Sequence, residues 1–203
     1  MQCHGGSGGS AGAPEVNYPV SDNMGESGLQ FFVVQVLSGL LRSWFAAQER
    51  QVLVGGNQFF YWKRGQPQVS LAPDLYVIDD ESVSLRRVKA WKVWERGGKV
   101  PSLALEVVSD DHQKDYDPAL VAQYDDLGVK ELVRYDPAAR WLRGPSKRRV
   151  LSHFVRDEEG RLVEQHCDVQ RGLKSTTYGF YLLPASDETL RIAVGPHGQG
   201  LWL

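Results

Sequence analysis

The sequence predicts a mixed α/β (α+β) chain, and three features predict it. An apolar stripe at helical spacing runs from Leu29 to Phe45. In the middle of the chain an apolar run, a capped helix and a second apolar run follow in strand–helix–strand order, which suits a crossover returning to one sheet. After residue 148 the chain is β-rich, with short apolar runs separated by turn residues.

The chain in order justifies each element. Residues 1–13 contain Gly5-Gly-Ser-Gly-Gly-Ser10, a flexible-linker composition, so a poorly ordered tail is expected there. Residues 14–203 are expected to form one domain: a core over 14–137 and a β-rich extension over 138–203. Ser27 and Gln30 resemble a capping box. Leu29, Phe32, Val33, Val36, Leu37, Leu40, Leu41, Trp44 and Phe45 then fall at three- and four-residue steps, one continuous face. Residues 51–54, 59–62 and 69–71 read as strands, with Gly55-Gly56-Asn57 and Arg64-Gly65-Gln66-Pro67 as turns. A strand from Asp74 to about Ile78 ends in a solvated acidic cluster at 79–81. Asp117 and Pro118 stand as N-cap and first residue of a helix on which Leu120, Tyr124 and Leu127 share a face, and Gly128 ends it. Residues 131–135 read as a strand stopped by Asp136-Pro137. Residues 149–154 and 162–167 flank the hairpin signal Asp157-Glu-Glu-Gly160. Strands at 178–183 and 190–194 and an apolar end follow.

Composition narrows the function classes. The 203 residues carry a formal net charge of -2, which argues against a broadly basic nucleic-acid coat but not against a local basic patch. Two such patches stand out. One is basic and aromatic, from Arg86 to Lys99 with Trp91 and Trp94; it suits either a phosphate backbone with stacked bases or a loop pinned by its tryptophans. The other gathers Arg140, Arg143, Lys147, Arg148 and Arg149. Cys3 and Cys167 have no CxxC spacing, and the five histidines lie at no ligand spacing, so neither a disulfide framework nor a zinc site is expected. No run was expected to span a membrane and no secretory leader is visible, so the default expectation is a cytoplasmic protein.

Two acids do not fit their surroundings. Asp74 follows Pro73 at the start of one apolar run, and Glu106 lies inside Leu-Ala-Leu-Glu-Val-Val. A carboxylate in an apolar run is costly to bury unless something pairs with it. Two of them on neighbouring strands make a hard-oxygen site suited to magnesium or manganese. The plainer alternative has Asp74 capping a turn and Glu106 facing solvent from an edge strand. Glu26, near the first helix, is equally well explained by the helix dipole.

Pro73-Asp74, then Trp94-Glu-Arg-Gly-Gly98, Pro101, Glu106-Val-Val-Ser109, Tyr124, Leu127-Gly-Val129 and Tyr135-Asp-Pro137 resemble, in order and spacing, the PD-(D/E)xK restriction-endonuclease-like superfamily and its Uma-two branch. The resemblance covers roughly residues 26–137 and, more weakly, the β-rich tail. It implies a central mixed sheet flanked by helices. It also implies a Mg2+ or Mn2+ ion held by Asp74, Glu106 and the carbonyl of Val107, with Glu26 as an auxiliary acid. The sequence departs from the branch at its lysine: Val108 stands two residues after Glu106, and Leu120 stands four before Tyr124. Lys114 is the nearest replacement. The expected function is therefore a metal-dependent DNA endonuclease that cleaves phosphodiesters by metal-activated water and pairs as a homodimer. The alternative is a catalytically inactive relative that binds nucleic acid or serves assembly.

Overall fold

The computed structural model describes residues 28–79, 88–109, 112–144 and 146–202. Its centre is a six-stranded sheet made of β1 (Val52–Gly55), β4 (Leu75–Asp79), β6 (Leu103–Val107), β7 (Glu131–Tyr135), β8 (Leu151–Arg156) and β9 (Leu162–Gln165), in that order across the sheet. Only β6 and β7 run parallel; the other neighbours are antiparallel. The helix between the parallel strands is α3 (Pro118–Leu127), preceded by the short α2 (His112–Asp115). The strand–helix–strand expectation for this segment therefore describes a true crossover. The β-rich region after residue 137 divides: β8 and β9 complete the central sheet, while β10 (Leu173–Lys174), β11 (Tyr181–Pro184), β12 (Leu190–Ala193) and β13 (Leu201–Trp202) form a second, antiparallel sheet. The two-residue β10 carries no sequence signal long enough to mark it.

Strand alternation sends each side of the central sheet to a different core. Leu75, Val77, Leu103, Leu105, Val107, Val133 and Tyr135 face α1 (Gly28–Ala47) and the second sheet. Tyr76, Ile78, Ala104 and Leu132 face α3 through Tyr124 and Leu127. This second core also holds Phe60 and Trp91, from a small sheet of β2 (Phe60–Tyr61), β3 (Ser70–Leu71) and β5 (Trp91–Lys92). Trp91 is fully buried and donates to the Lys99 carbonyl at 2.8 Å, so this tryptophan pins the basic aromatic segment to the core. Arg86 and Arg87 lie outside the described residues.

The α3 caps follow the sequence closely. Asp117 accepts from the Ala119 N–H at 2.9 Å, and Gly128 adopts φ 94°, a left-handed conformation costly for any residue with a Cβ. At α1 the proposed cap Ser27 lies outside the described residues. Val33, Val34, Leu37, Leu41, Trp44 and Phe45 are buried on its inner face, but Phe32 is 48% exposed, so the apolar stripe extends beyond the face that packs. α1 also overturns the expectation that no run could span a membrane: its 20 residues are long and apolar enough by length and composition. Part of that apolar run, Val33, Val34, Leu37, Leu41, Trp44 and Phe45, covers the central sheet, while Phe31 and Phe32 stay exposed. The acidic cluster at 79–81 needs correction at its first member. Asp79 is tied down by Ser102 at 2.6 Å, Arg50 at 2.9 Å and Tyr178 at 3.2 Å; burial would raise its carboxyl, but the Ser102 hydroxyl and the Arg50 and Lys130 charges hold it below the usual range.

One buried acid fixes the second sheet to the first. Glu131, fully buried at the start of β7, takes His153 at 2.7 Å, the Ser175 hydroxyl at 2.9 Å and the N–H groups of Thr176 and Thr177 at 3.1 Å. Burial alone would push its carboxyl up, but the His153 contact and the Thr177 N–H outweigh it, and the group is held below the usual range. Such an acid adds stability above its unfolded-state titration range, and that contribution is lost as pH falls. Glu131→Ala leaves His153 and two N–H groups without their acceptor, and is expected to cost roughly 3–5 kcal/mol in urea unfolding at neutral pH.

Candidate active site

The register of β4 and β6 brings the two unusual acids together. Leu75 stands opposite Leu105 in this antiparallel pair, so the next position places Asp74 opposite Glu106, both on the side of the sheet that α3 covers. β6 is a central strand between β4 and β7, not an edge. The turn before β4 is closed by the Asn57 N–H, which donates to the Pro73 carbonyl at 2.9 Å. Gly56 lies against Asp74 so closely that a Cβ there would overlap the Asp74 carbonyl oxygen. The turn residue thus sets the approach of the acid's backbone.

Asp74 is 3% exposed. Its Oδ1 accepts from the Gln30 amide of α1 at 2.7 Å, and its Oδ2 from the Val107 N–H at 2.7 Å. A hydrogen bond joins its carboxyl to that of Glu106. Glu106 keeps some accessible surface as a residue, yet protein atoms crowd its carboxyl, and the Tyr124 hydroxyl donates to its Oε1. A third acid, Asp115 at the end of α2, is 7% exposed and takes the N–H and hydroxyl of Ser109 at 2.8 and 2.9 Å. Its charge acts on both other carboxyls.

Among the described residues, no Lys, Arg or His lies within 4.0 Å of an Asp74, Glu106 or Asp115 carboxylate oxygen. Burial and then the Asp74 charge push Glu106 well above the ordinary range. Burial also raises Asp74, although the Val107 N–H, the Gln30 amide and Glu106 pull it back. Tyr124 is driven up by burial and by Glu106, so it keeps its proton and donates. The chain of contacts therefore runs from the Tyr124 hydroxyl to Glu106 and on to Asp74, with Glu106 the carboxyl on which a proton is more favoured. Two carboxyls with one proton between them can hand that proton over when a cation arrives.

The donor set fits a hard divalent ion. Mg2+ is commonly held by one or two carboxylates, with water and substrate phosphates completing its shell. Asp74 and Glu106 supply such a pair. Among the described residues no group of three His, Cys, Asp or Glu side chains is arranged to hold a metal, so Asp115 stands behind the pair and does not complete a cage. Lys114 sits on α2 with an exposed side chain and makes no ion pair with the three acids. The two positions where the branch carries lysine belong to the packing instead: Val108 is buried and Leu120 packs against the α3 core. Glu26 lies outside the described residues. Gln30, Asp115 and Ser109 were not picked out as site residues by sequence reasoning. Gln30 read as half of a capping box, and Asp115 was one of several acids in a polar loop with nothing to distinguish it.

A restriction-endonuclease-like architecture with two converging strand acids defines the class. The sequence matches the Uma2 family, described as putative restriction endonuclease, over residues 23–176, and the chain belongs to that family. Its fold is similar to the crystal structure of a putative nuclease belonging to DUF820 from Anabaena variabilis ATCC 29413, with a TM-score of 0.50 and 10% identity over 75% of each chain. No curated protein matches the sequence.

The raised Glu106 carboxyl has a measurable consequence. A group whose pKa is higher folded than unfolded makes the folded state bind more protons, so stability falls as pH rises between the two values. In metal-free protein, Glu106→Gln is expected to reduce the loss of melting temperature as pH rises above the ordinary glutamate range, because a neutral amide has no proton to give up. An unchanged pH slope would contradict the shared-proton arrangement.

Proposed function

We propose that this chain is a divalent-metal-dependent endonuclease acting on DNA phosphodiesters. The observation that carries the reading is the convergence of Asp74 and Glu106 with no basic side chain within 4.0 Å of them among the described residues. Membership of a family described as restriction endonucleases supports it, and divalent metals are general in such enzymes. In this reading Asp74, Glu106 and the Val107 carbonyl hold Mg2+ or Mn2+, which would polarise the scissile phosphate and lower the pKa of a bound water. Tyr124 orients Glu106 from the α3 side, and Gln30 and the Val107 N–H hold Asp74. The ordered contacts fix both carboxylates before substrate arrives, the condition under which charge stabilisation costs no rearrangement. Lys114, exposed on α2 next to Asp115, would supply the positive charge the branch draws from its lysine, and Glu26 would be an auxiliary acid. Cutting both strands is naturally served by a symmetric homodimer.

A second reading has its own observation. With Val108 and Leu120 absorbed into the packing and Lys114 exposed, no ammonium group among the described residues stands against the acids. A protein built this way could bind nucleic acid or take part in assembly without cleaving.

The two readings separate on one assay. Purified protein is incubated with supercoiled plasmid and with single-stranded DNA in Mg2+ or Mn2+. Under the endonuclease reading Asp74→Ala lowers the cleavage rate by at least about 100-fold, the scale on which loss of one preorganised catalytic group acts. Lys114→Ala lowers it as well if that lysine is the replacement. Cleavage unaffected by Asp74→Ala rejects the assignment, and DNA binding without cleavage in either metal selects the second reading.

A further inference from the structure

The α3 side of the sheet carries a second feature, one strand beyond the paired acids. Arg134 of β7 is the register partner of Glu106, so the two side chains leave the sheet on the same face from neighbouring strands, which lie about 4.8 Å apart. Beside it opens a cavity of about 630 Å³, within the usual range for small-molecule sites. Arg134 is only 7% exposed. Its guanidinium carbon stands 4.5 Å from the Tyr116 ring centre and 5.3 Å from that of Phe154. Among the described residues it pairs with no carboxylate. No fully enclosed side-chain nitrogen among them lacks a partner, so the free guanidinium donors open onto the cavity that Arg134 lines.

The surroundings repeat the sign. Lys147 and Arg149, two members of the second basic cluster, line the same cavity with exposed side chains and form no ion pair among the described residues. Two other members are engaged elsewhere: Arg148 grips the buried Asp136 at 2.7 and 2.8 Å, and Arg140 donates to the Ala185 carbonyl at 2.9 Å. Of the two acids in the lining, Asp125 is held by Arg156 at 2.8 Å and Glu164 is exposed on β9. The basic wall is preformed: the Tyr116 hydroxyl donates to Asp136 at 2.9 Å and receives the Arg149 N–H at 3.1 Å. Pro118, Val121 and Ala122 of α3 give the cavity an apolar part.

A buried guanidinium has fixed donors suited to phosphate oxygens, and stacking on rings preserves that edge. We propose that this cavity binds one nucleotide unit of a nucleic-acid strand, its phosphate on Arg134, Lys147 and Arg149 and its base against Pro118, Val121 and Ala122. The assignment rests on the nucleic-acid reading of the neighbouring acids for the identity of the ligand, and on nothing in their chemistry. It gives the protein a positioning site for the strand next to the place of cleavage.

Binding is measured by titration calorimetry in EDTA, where no cleavage occurs, with 5′-dAMP, deoxyadenosine and inorganic phosphate. The nucleotide is expected to bind at least about tenfold more tightly than either part alone, the yield of a charge-assisted phosphate contact added to base contact. Arg134→Gln removes most of this preference. The double variant K147Q/R149Q alters only exposed side chains and also weakens nucleotide binding, which keeps the result readable should Arg134→Gln unfold. Asp74→Ala leaves it unchanged. Equal affinity for 5′-dAMP and deoxyadenosine, or wild-type binding by both basic-wall variants, overturns the proposal. Equal affinity for phosphate and nucleotide also overturns it, since the cavity is then a free-anion site. Nucleotide binding in a protein that cleaves no DNA leaves this inference standing and removes the endonuclease reading.

Discussion

Two carboxyl groups opposed across antiparallel strands cannot both hold a full charge without a cation, and one end of the central sheet is built around that constraint. Asp74 and Glu106 meet there because the register of β4 and β6 requires it, and a hydrogen bond between them absorbs the conflict. Everything nearby serves to hold this pair in place. Gln30 reaches in from α1, the Val107 N–H from β6 and the Tyr124 hydroxyl from α3, so elements on both sides of the sheet converge on one pair of side chains.

The same fold buries another acid with the opposite outcome. Glu131 is given a histidine, a hydroxyl and two backbone N–H groups, and its carboxyl is held down. Asp74 and Glu106 receive neutral donors and each other, and their carboxyls are pushed up. Burial penalises charge in both places, so the difference lies in the partners. A buried acid ringed by a histidine, a hydroxyl and backbone N–H groups fixes the second sheet to the first. A buried pair with no basic side chain against it among the described residues is a place a divalent ion can occupy.

Charge is divided along this face in a manner that suits a polyanion. Asp74 stands just before β4 and Glu106 lies in β6, while the buried guanidinium of Arg134 leaves β7 with Lys147 and Arg149 beside the same cavity. The net charge of -2 conceals this division, because a weakly acidic total is compatible with a local basic wall.

The sequence by itself determined the longer elements and the suspicion attached to two acids, but not the short β5, β10 and α2. The α3 caps at Asp117 and Gly128, the crossover from β6 to β7 and the strand around Glu106 were legible because capping chemistry, periodicity and the oddity of a carboxylate in an apolar run are local properties. Asp115 and Gln30 were not legible. One is an acid among acids and the other has the look of a cap residue, and each gains its place only from where its helix docks. The same holds for Arg134, which reads as an ordinary residue of an apolar strand until Tyr116 and Phe154 enclose it. Alternation assigns a side chain to a face of its own strand, but strand order and helix packing decide what it meets there. Those contacts join residues far apart in the chain, so only the tertiary structure could set them.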